Sequence, residues 1–369
     1  MGNFEISISQ FQNFKMLIKE MIQLLAIDWW FILEKFLLVG FVVTLSLLVA
    51  MYTTYAERKI AAFLQDRRGP NRAGPFGILQ PLADGGKLFF KEEIIPLASS
   101  KFLFILGPSL AMLTAMLTSA VIPWGTPLQI RGRDVPLQIA DLNIGILYIF
   151  GVVSLGVYGI MIGGWASNNK FSLLAAVRGA SQMISYELAM GLALIAVLMM
   201  TGSLQMSVIV NNQLQHGWHV IYQPLGFLIF FICALAECNR TPFDLAEAEN
   251  ELNFGYHQEY SSMKLGLYLF AEYVNMFISG AVMSTLFFGG YDIPFVNEAS
   301  WGLSPNLLAI IGFVVLLAKS FFFLFVFIWI RWTIPRFRYD QLMNLGWKKL
   351  IPLALINMIA TAVVMLLRK

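Results

Sequence analysis

The chain has 369 residues, of which 58% are hydrophobic and only 13% are charged, and its formal net charge is +3. Soluble domains carry about 25% charged residues. The composition therefore excludes an ordinary soluble protein and predicts an all-α integral membrane protein. We expect residues 1–369 to form a single polytopic domain in the lipid bilayer, with no nucleic-acid partner.

Residues 1–30 have a mixed pattern, in which Phe11, Phe14, Leu17 and Met21 can line one side of a helix. Such a helix is predicted to lie at the membrane interface. A short cationic region followed by a cleavage site is absent, so we expect no removable signal peptide.

Eight apolar stretches of membrane-spanning character follow along the chain. They cover residues 33–55, 102–124, 142–165, 186–201, 220–238, 264–289, 307–330 and 350–367. The stretch 159–163 begins and ends with glycine, a spacing that permits close packing of two helices but says nothing about function.

Lysine and arginine are concentrated in alternate loops. Seventeen of the 25 lie in the loops 56–101, 166–185, 239–264 and 331–349. The three intervening loops, 125–141, 202–219 and 290–306, hold only Arg131 and Arg133. Basic loops stay on the cytoplasmic side. We therefore expect the four basic loops on the cytoplasmic (or matrix) side, called here the inner side, and both termini on the outer side.

The first inner loop, 56–101, interrupts the apolar pattern with basic, aromatic, glycine and proline residues. Residues 57–66 predict a helix that ends at Gly69-Pro70. Pro81 suits the first turn of a second short helix over 82–92. The alternative is a loop whose arginines only set the topology, although topology requires neither this Gly/Pro punctuation nor the aromatic residues.

The second inner region, 237–263, holds six of the 22 acidic residues, which are Glu237, Asp244, Glu247, Glu249, Glu251 and Glu259. Pro242 predicts the start of a helix that places Asp244, Glu247 and Glu251 on one face. Carboxylates crowded in apolar sequence acquire raised pKa values and can exchange protons near neutral pH. The alternative is a solvated acidic surface that docks a partner, and the two roles can coexist.

Ionisable residues inside the predicted spans are costly and usually functional. Glu187, Glu237 and Glu272 are predicted to belong to a proton path with the acidic region. Lys319 is either functional or paired with a carboxylate on a neighbouring helix. Asp141, at the outer end of its span, is a further candidate whose other role is to cap the following helix.

The sequence supplies no ligand set for a redox cofactor. Cys233 and Cys238 are the only cysteines, and the three histidines, His216, His219 and His257, lie outside the predicted spans. A membrane haem needs ligands inside the bundle, and an iron–sulfur cluster needs about four thiolates. Neither a dinucleotide-binding nor a phosphate-binding glycine motif is present. We expect no metal and no cofactor on this chain, so electrons for any redox step come from a partner.

Several blocks resemble one family. They are Ala56–Lys59, Gln65–Pro75 (QDRRGPNRAGP), Gln80–Glu92, Gly179–Leu188 (GASQMISYEL), Leu235–Tyr260 and Trp329–Met343 (WIRWTIPRFRYDQLM). In this order, and at these span boundaries, they resemble the H subunit of bacterial proton-pumping NADH:quinone oxidoreductase, which is called subunit 1 in mitochondrial complex I. Cys238, Ala246 and Asn250 depart from the family's usual Thr, Pro and Ser, which puts the local helix geometry in question rather than the acids.

The resemblance implies a membrane subunit whose inner loops form much of a quinone chamber. The implied chamber residues are Glu57, Arg58, Asp66, Arg67, Arg68, Arg72, Asp84 and Lys87. The arginines either raise the positive potential around anionic reduced quinone or pair with Glu57, Asp66 or Asp84. The implied proton path comprises Glu187, Glu237, Asp244, Glu247, Glu249, Glu251 and Glu272.

The resemblance also implies partners: hydrophilic-arm subunits with the terminal iron–sulfur cluster and FMN, and small and antiporter-like membrane subunits. Quinone is the substrate. Length and the amino-terminal segment favour a bacterial inner membrane over a mitochondrial one. Three alternatives stay open: a quinone-independent anchor of a hydrogenase-type complex, a self-contained secondary transporter, and a relative that takes electrons from ferredoxin.

Overall fold

The computed structural model describes residues 29–130, 132–247, 249–293 and 303–368. Its helices in chain order are α1 (Trp29–Leu64), α2 (Gln80–Phe90), α3 (Lys101–Thr118), α4 (Gly145–Ala166), α5 (Lys170–Thr201), α6 (Met206–His216), α7 (His219–Tyr222), α8 (Pro224–Glu237), α9 (Glu249–Leu252), α10 (Ser262–Phe287), α11 (Pro305–Thr333), α12 (Tyr339–Asn344) and α13 (Ile351–Arg368). Strands β1 (Leu128–Ile130) and β2 (Arg133–Val135) form an antiparallel hairpin. The predicted interfacial helix falls almost wholly outside the described residues.

The described part of the chain confirms an all-α membrane protein. Seven helices are long and apolar enough to cross a membrane, and α8 is a shorter apolar helix of 14 residues. The last of the seven runs over Tyr339–Leu367, because α12 passes through a π-helical segment, Leu345–Leu350, into α13. These eight segments correspond in order to the eight predicted spans.

Two predicted boundaries are wrong, since the last span begins at Tyr339 rather than at 350, and the span predicted over 186–201 also begins earlier. The sequence places 166–185 in a loop, whereas α5 begins at Lys170 and is 32 residues long. Polar side chains lower the hydropathy of its first half, but tertiary contacts satisfy them. Gln182 donates from Nε2 to the carbonyl oxygens of Ala236 at 2.8 Å and Phe243 at 2.7 Å. The helix can therefore bury a residue that a hydropathy profile reads as loop.

The first inner loop follows the sequence prediction closely. The predicted helix 57–66 is the inner end of α1, and Gly69 and Pro70 lie beyond its end. Pro81 stands in the first turn of α2, as predicted. The prediction of a helix from Pro242 is wrong, since the described residues 241–247 form turns and bends, and helical structure follows only as the short turns α9 and Gly255–His257.

Small residues bring α3 and α4 together, as the glycine spacing predicts. A Cβ atom on Gly159 would lie 2.9 Å from the backbone nitrogen of Ala111 in α3. The hydroxyl of Tyr268, on α10, donates to the Gly159 carbonyl oxygen at 3.0 Å. Close backbone approach is what small residues permit in membrane helices, and here it brings a polar group of α10 against the pair.

Contacts join the inner loops to one another at one end of the bundle. Arg331 at the end of α11 pairs with Glu57, and Arg336 pairs with Asp244. Asn169, between α4 and α5, donates to Glu259 at 2.8 Å. The most enclosed of the seven long spans is α10, in which 61% of an apolar stretch of 18 residues is buried. The acidic region therefore lies at the end of the bundle where the most buried helix, α10, begins.

Candidate functional site

A buried ion pair forms the centre of the candidate site. Arg240, three residues after α8 ends, is 3% exposed, and its Nη2 lies 3.1 Å from Oε2 of Glu272 on α10. Its guanidinium also lies over the ring of Tyr273, 4.4 Å from the centroid. Burial alone would lower the pKa of Arg240, but Glu272 and the neighbouring acids hold it well above its ordinary value. The arginine therefore stays charged and fixes a positive charge just beyond the end of α8.

Two further carboxyls beside Arg240 have opposite pKa shifts. Burial and the charge of Glu247 raise the pKa of Asp244 to about 7, although Arg336, at 2.8 Å, opposes the shift. Burial would also raise the pKa of Glu247, but Arg240 and then His257 lower it below its ordinary value. Neighbouring acids whose environments separate their pKa values can divide the roles of proton donor and acceptor.

The raised pKa of Asp244 predicts a pH-dependent stability. A buried carboxyl that keeps its proton in the folded state and loses it in the unfolded state makes stability fall as pH rises from about 4 to about 7. At roughly 1.4 kcal/mol per pKa unit, the loss is of the order of 4 kcal/mol or less. We expect Asp244→Asn to remove this part of the decline. The measurement is the midpoint of thermal inactivation of the assembled complex between pH 4.5 and 8. If this midpoint changed with pH equally in the unsubstituted protein and in Asp244→Asn, the prediction would be wrong.

His257 lies between two of the carboxylates and is fully buried. Its Nδ1 is 3.8 Å from Oε1 of Glu247, and its Nε2 is 3.9 Å from Oε1 of Glu272. Burial lowers the pKa of His257 to about 4, so the ring is neutral near pH 7. The hydroxyl of Tyr256 donates to Oε1 of Glu272 at 3.1 Å. Glu272 therefore has partners on both carboxylate oxygens.

A cavity of about 90 Å³ lies beside this cluster, between α3, α4, α5, α8 and α10. Glu237, Asn239, Glu272, Asn275 and Ser279 contribute polar groups to its lining. Both carboxylate oxygens of Glu237 are buried and accept no hydrogen bond from the described residues. A water molecule needs about 10–15 Å³ and two to four polar partners. The cavity therefore has the room and the polar groups to hold several waters between Glu237 and Glu272.

Glu187 lies near this cavity but outside its lining. The Ser154 hydroxyl on α4 donates to the Glu187 carboxylate on α5. The charge of Glu187 acts on Glu237. The three predicted in-span carboxylates thus form a row across α5, α8 and α10.

The structure places Glu57 with the acidic cluster rather than with the exposed arginines. It is 6% exposed, its Oε1 lies 2.6 Å from Arg331, and the hydroxyl of Tyr273 donates to its Oε2 at 2.7 Å. Tyr273 in turn lies under Arg240. An unbroken run of contacts therefore connects α1 and α11 to the central ion pair.

The remaining first-loop candidates lie at the surface of the chain. Arg58 pairs with Asp84 at 2.6 Å, which realises one of the two roles predicted for the arginines. The side chains of Asp66, Arg67, Arg68, Arg72 and Lys87 are exposed. Phe76, Phe89 and Phe90 are also exposed, at 77%, 69% and 87%. The loop thus presents apolar rings and cationic groups together.

Glu251 and Glu259 have partners outside the central cluster. Glu251 is exposed and pairs with Arg178 on α5 at 2.8 Å, and Glu259 accepts the hydrogen bond from Asn169. Glu249 begins α9, and its side chain lies outside the described part. Of the five acids whose side chains are described, Asp244 and Glu247 are thus buried, Glu237 has buried carboxylate oxygens, Glu259 is half-buried and Glu251 is exposed.

Lys319 and Asp141 have structural partners. The Lys319 ammonium donates to the carbonyl oxygens of Phe288, Gly290 and Asp292, at 2.7, 2.9 and 2.6 Å. These carbonyls follow the end of α10, where a cation is favoured. Asp141 does not cap α4 but accepts hydrogen bonds from Gln205 and Ser207 at the start of α6.

One described group, Glu247, His257 and Glu272, has the composition of a metal site, with one ligand atom from each within 4.8 Å of the others. Arg240 already neutralises Glu272, and Tyr256 occupies its other oxygen. A metal ion would be repelled by Arg240 and would compete with Arg240 and Tyr256 for the oxygens of Glu272. The three side chains therefore do not fit a metal site.

Sequence reasoning missed the side chains that contact the acids. They are Arg240, Arg331 and Arg336, with Tyr256, His257 and Tyr273. The arginines lie inside the blocks Leu235–Tyr260 and Trp329–Met343. Because an opposite charge offsets part of the cost of burying a carboxylate, an arginine at a span boundary near several acids is the sequence signal that could have found them.

Fold and site together define a polytopic membrane protein with a buried cluster of carboxylates and arginines at one end of its bundle. Residues 35–362 match the model of the NADH dehydrogenase family. The chain is 64% identical to an H subunit of NADH-quinone oxidoreductase from Cytophaga hutchinsonii, over 91% of this chain and 98% of that protein. It is 61% identical to the corresponding protein of Flavobacterium johnsoniae, over 91% and 96%, and 50% identical to one from Geobacter metallireducens, over 93% and 99%.

The chain therefore belongs to the NADH dehydrogenase family represented by the H subunit of NADH-quinone oxidoreductase, the subunit 1 family of complex I. Membership confirms the resemblance carried by the sequence blocks.

Proposed function

We propose that this chain is the membrane subunit of an NADH-quinone oxidoreductase that contributes to the quinone-binding chamber and couples quinone reduction to proton translocation. The names of its relatives support the complex and the substrate. The run of contacts from Arg331 through Glu57, Tyr273 and Arg240 to Glu272 supports the coupling. This single observation carries the proposal, because it joins the inner loops to a carboxylate inside the bundle.

The first inner loop supplies the two kinds of group that a quinone with an apolar tail requires. The exposed rings of Phe76, Phe89 and Phe90 offer apolar contact, and Arg67, Arg68 and Arg72 carry positive charge. Ligand sites combine an apolar lining with a few polar groups that orient the ligand. In this proposal a hydrophilic partner closes the chamber over the loop. In this proposal the same hydrophilic partner also carries the terminal iron–sulfur cluster and the FMN, since the sequence of this chain supplies no ligand set for a redox cofactor.

Coupling starts with the charge that quinone reduction places beside the inner loops. Arg336 holds Asp244, and Arg331 holds Glu57, so a change of charge near either arginine alters the proton affinity of the acids behind it. Protons then pass from Asp244 and Glu247 to Glu272, and through the polar cavity to Glu237 and Glu187. Beyond Glu187, antiporter-like membrane subunits receive the proton or the change in charge. This is a coupling free energy between two sites, carried by buried charge.

In this proposal the chain lies in a bacterial inner membrane with its basic loops toward the cytoplasm. Both termini then lie on the outer side, because eight spans bring the chain back to the side from which it starts. Seventeen lysines and arginines in the alternate loops support this orientation.

Arg68→Ala tests the quinone part of the proposal. Removing an exposed cation beside the apolar rings should lower NADH:quinone turnover by about tenfold, a loss of roughly 1.4 kcal/mol in transition-state stabilisation. NADH:ferricyanide activity of the same complex should be unchanged, because that acceptor is reduced before the quinone site. Both rates are measured on purified complex.

Arg133→Ala is the matched control, since Arg133 is an exposed arginine on the β-hairpin at the other end of the bundle. If Arg68→Ala lowered both activities together, loss of assembly would explain the result. Normal quinone turnover would remove Arg68 from the chamber.

A further inference from the structure

The position of His257 points to a role that the acids alone do not explain. Its two ring nitrogens face carboxylates from different elements, Glu247 in the inner loop and Glu272 on α10. The residue is 0% exposed, and neither ring nitrogen has a hydrogen-bond partner among the described residues. A buried polar atom without a hydrogen-bond partner destabilises the folded state. Such a cost is commonly retained at functional sites.

A tight turn places the imidazole between the two acids. Phe254 has a φ of 79° and Gly255 a φ of 63°, and a 3₁₀ turn over Gly255–His257 follows. A Cβ atom on Gly255 would collide with the carbonyl oxygen of Ala246. Only glycine therefore allows the chain to fold back so closely beside Glu247.

We propose that His257 relays protons between Glu247 and Glu272, and so connects the inner loop to the carboxylate inside the bundle. The inference rests on the proposed function and names one step within it. Glu237, Glu187 and the cavity lie beyond this step.

The relay is balanced in protons and charge. Once Glu247 has taken up a proton from the inner loop, it gives this proton to Nδ1, while the Nε2–H bond breaks and its proton passes to the Glu272 carboxylate. One proton moves from Glu247 to Glu272, and the ring stays neutral with its hydrogen on Nδ1. The starting tautomer returns when Nε2 takes a proton from water and Nδ1 gives its proton back to water, so that this step moves no net proton.

The observed distances leave a defined gap. Both exceed the hydrogen-bond range of about 2.6–3.2 Å, so transfer requires an approach of about 1 Å on each side or one bridging water. Contacts of this length are common before the active complex forms.

The surroundings favour a relay through the neutral ring. The titratable and charged groups that face it are Glu247, Glu272, Arg240, Tyr256 and Tyr268. Burial lowers the pKa of His257 to about 4, Glu247 opposes the shift, and Arg240 adds to it. A neutral imidazole offers one donor and one acceptor, which is what simultaneous transfer on its two sides needs.

His257→Gln tests the relay in the purified complex reconstituted in liposomes. The amide cannot exchange protons on both sides, so proton pumping and coupled turnover should fall about tenfold or more, with NADH:ferricyanide activity unchanged. His219→Gln is the matched control, since His219 is 2% exposed and hydrogen-bonded to Leu286 at the outer end of α10. Unchanged pumping in His257→Gln would overturn the relay.

A double variant separates a relay from a structural role. Glu247 and Glu272 also lie close enough to interact directly, so a direct route must be distinguished. If His257 acts in series with Glu272, His257→Gln combined with Glu272→Gln should pump no more slowly than Glu272→Gln alone. Independent, multiplying losses would overturn the relay.

The same set distinguishes failure of the relay from failure of the proposed function. Normal pumping in Glu272→Gln would reject the proton path itself, whereas a loss in Glu272→Gln with normal pumping in His257→Gln would reject the relay alone. His257→Asn is the second variant, in case the Gln side chain does not fit. If neither variant assembles, His257 is a packing residue and the assignment is overturned.

Discussion

Glu237→Gln should abolish most proton pumping while the complex remains assembled. The substitution keeps the shape of the side chain and removes its exchangeable carboxyl proton. Both carboxylate oxygens of Glu237 are buried and have no hydrogen-bond partner among the described residues. Glu237 and Glu272 both line the polar cavity. Because a positioned proton-transfer group contributes about 10²–10⁴-fold to a rate, we expect pumping to fall at least about tenfold.

The measurement is acidification of proteoliposomes, read with NADH:quinone turnover and NADH:ferricyanide activity on the same preparation. Turnover should fall with pumping if the two are tightly coupled, while the ferricyanide rate reports intact electron input. Glu34→Gln is the control, since Glu34 is a carboxylate near the start of α1 and outside the cavity lining. Normal acidification by Glu237→Gln would remove Glu237 from the path.

Hydropathy predicts the spans well because a helix in lipid must satisfy its own backbone and carry apolar side chains. It fails at residues 170–185, where α5 continues through polar sequence. There Gln182 bonds to the carbonyls of Ala236 and Phe243 from distant parts of the chain. A sequence window cannot register partners that arrive only when the bundle forms.

The acidic segment shows the same limit at the site. A helical reading from Pro242 groups Asp244, Glu247 and Glu251, whereas turns bury the first two and leave Glu251 on the surface with Arg178. Local periodicity assumes one regular helix. The positive φ angles at Asn239 (49°), Phe254 (79°) and Gly255 (63°) instead fold the segment back on itself. The acids were visible in the sequence, but the residues that face them were not.

The roles of the first-loop residues follow a similar division. Composition predicts that the loop mixes cations with aromatic rings, and the structure places both at its surface. Glu57 is different, because Tyr273 and Arg331 bury it from two other helices. Its partners lie far away in sequence, so only the assembled bundle connects the loop to the acids.

Arg240→Met should cause the largest loss of stability. Arg240 is 3% exposed and is the cation nearest to Glu272, with the ring of Tyr273 against its other face. Removing one partner of a buried ion pair leaves an uncompensated charge and costs about 3–5 kcal/mol. We expect a lower yield of assembled complex and a lower midpoint of thermal inactivation. The stability of Arg240→Lys should lie between that of the unsubstituted protein and that of Arg240→Met, since an ammonium keeps the charge but not the planar contact with the ring.

The double variant Arg240→Met with Glu272→Gln decides whether charge or packing causes the loss. If the uncompensated carboxylate is the cause, neutralising Glu272 should recover a large part of the stability lost in Arg240→Met. The recovery defines an interaction energy between the two residues. Additive losses would show that Arg240 stabilises the bundle through packing against Tyr273 instead. Because Glu272 also belongs to the proposed proton path, the double variant should regain assembly without regaining proton pumping, which separates the structural role of the pair from its role in coupling.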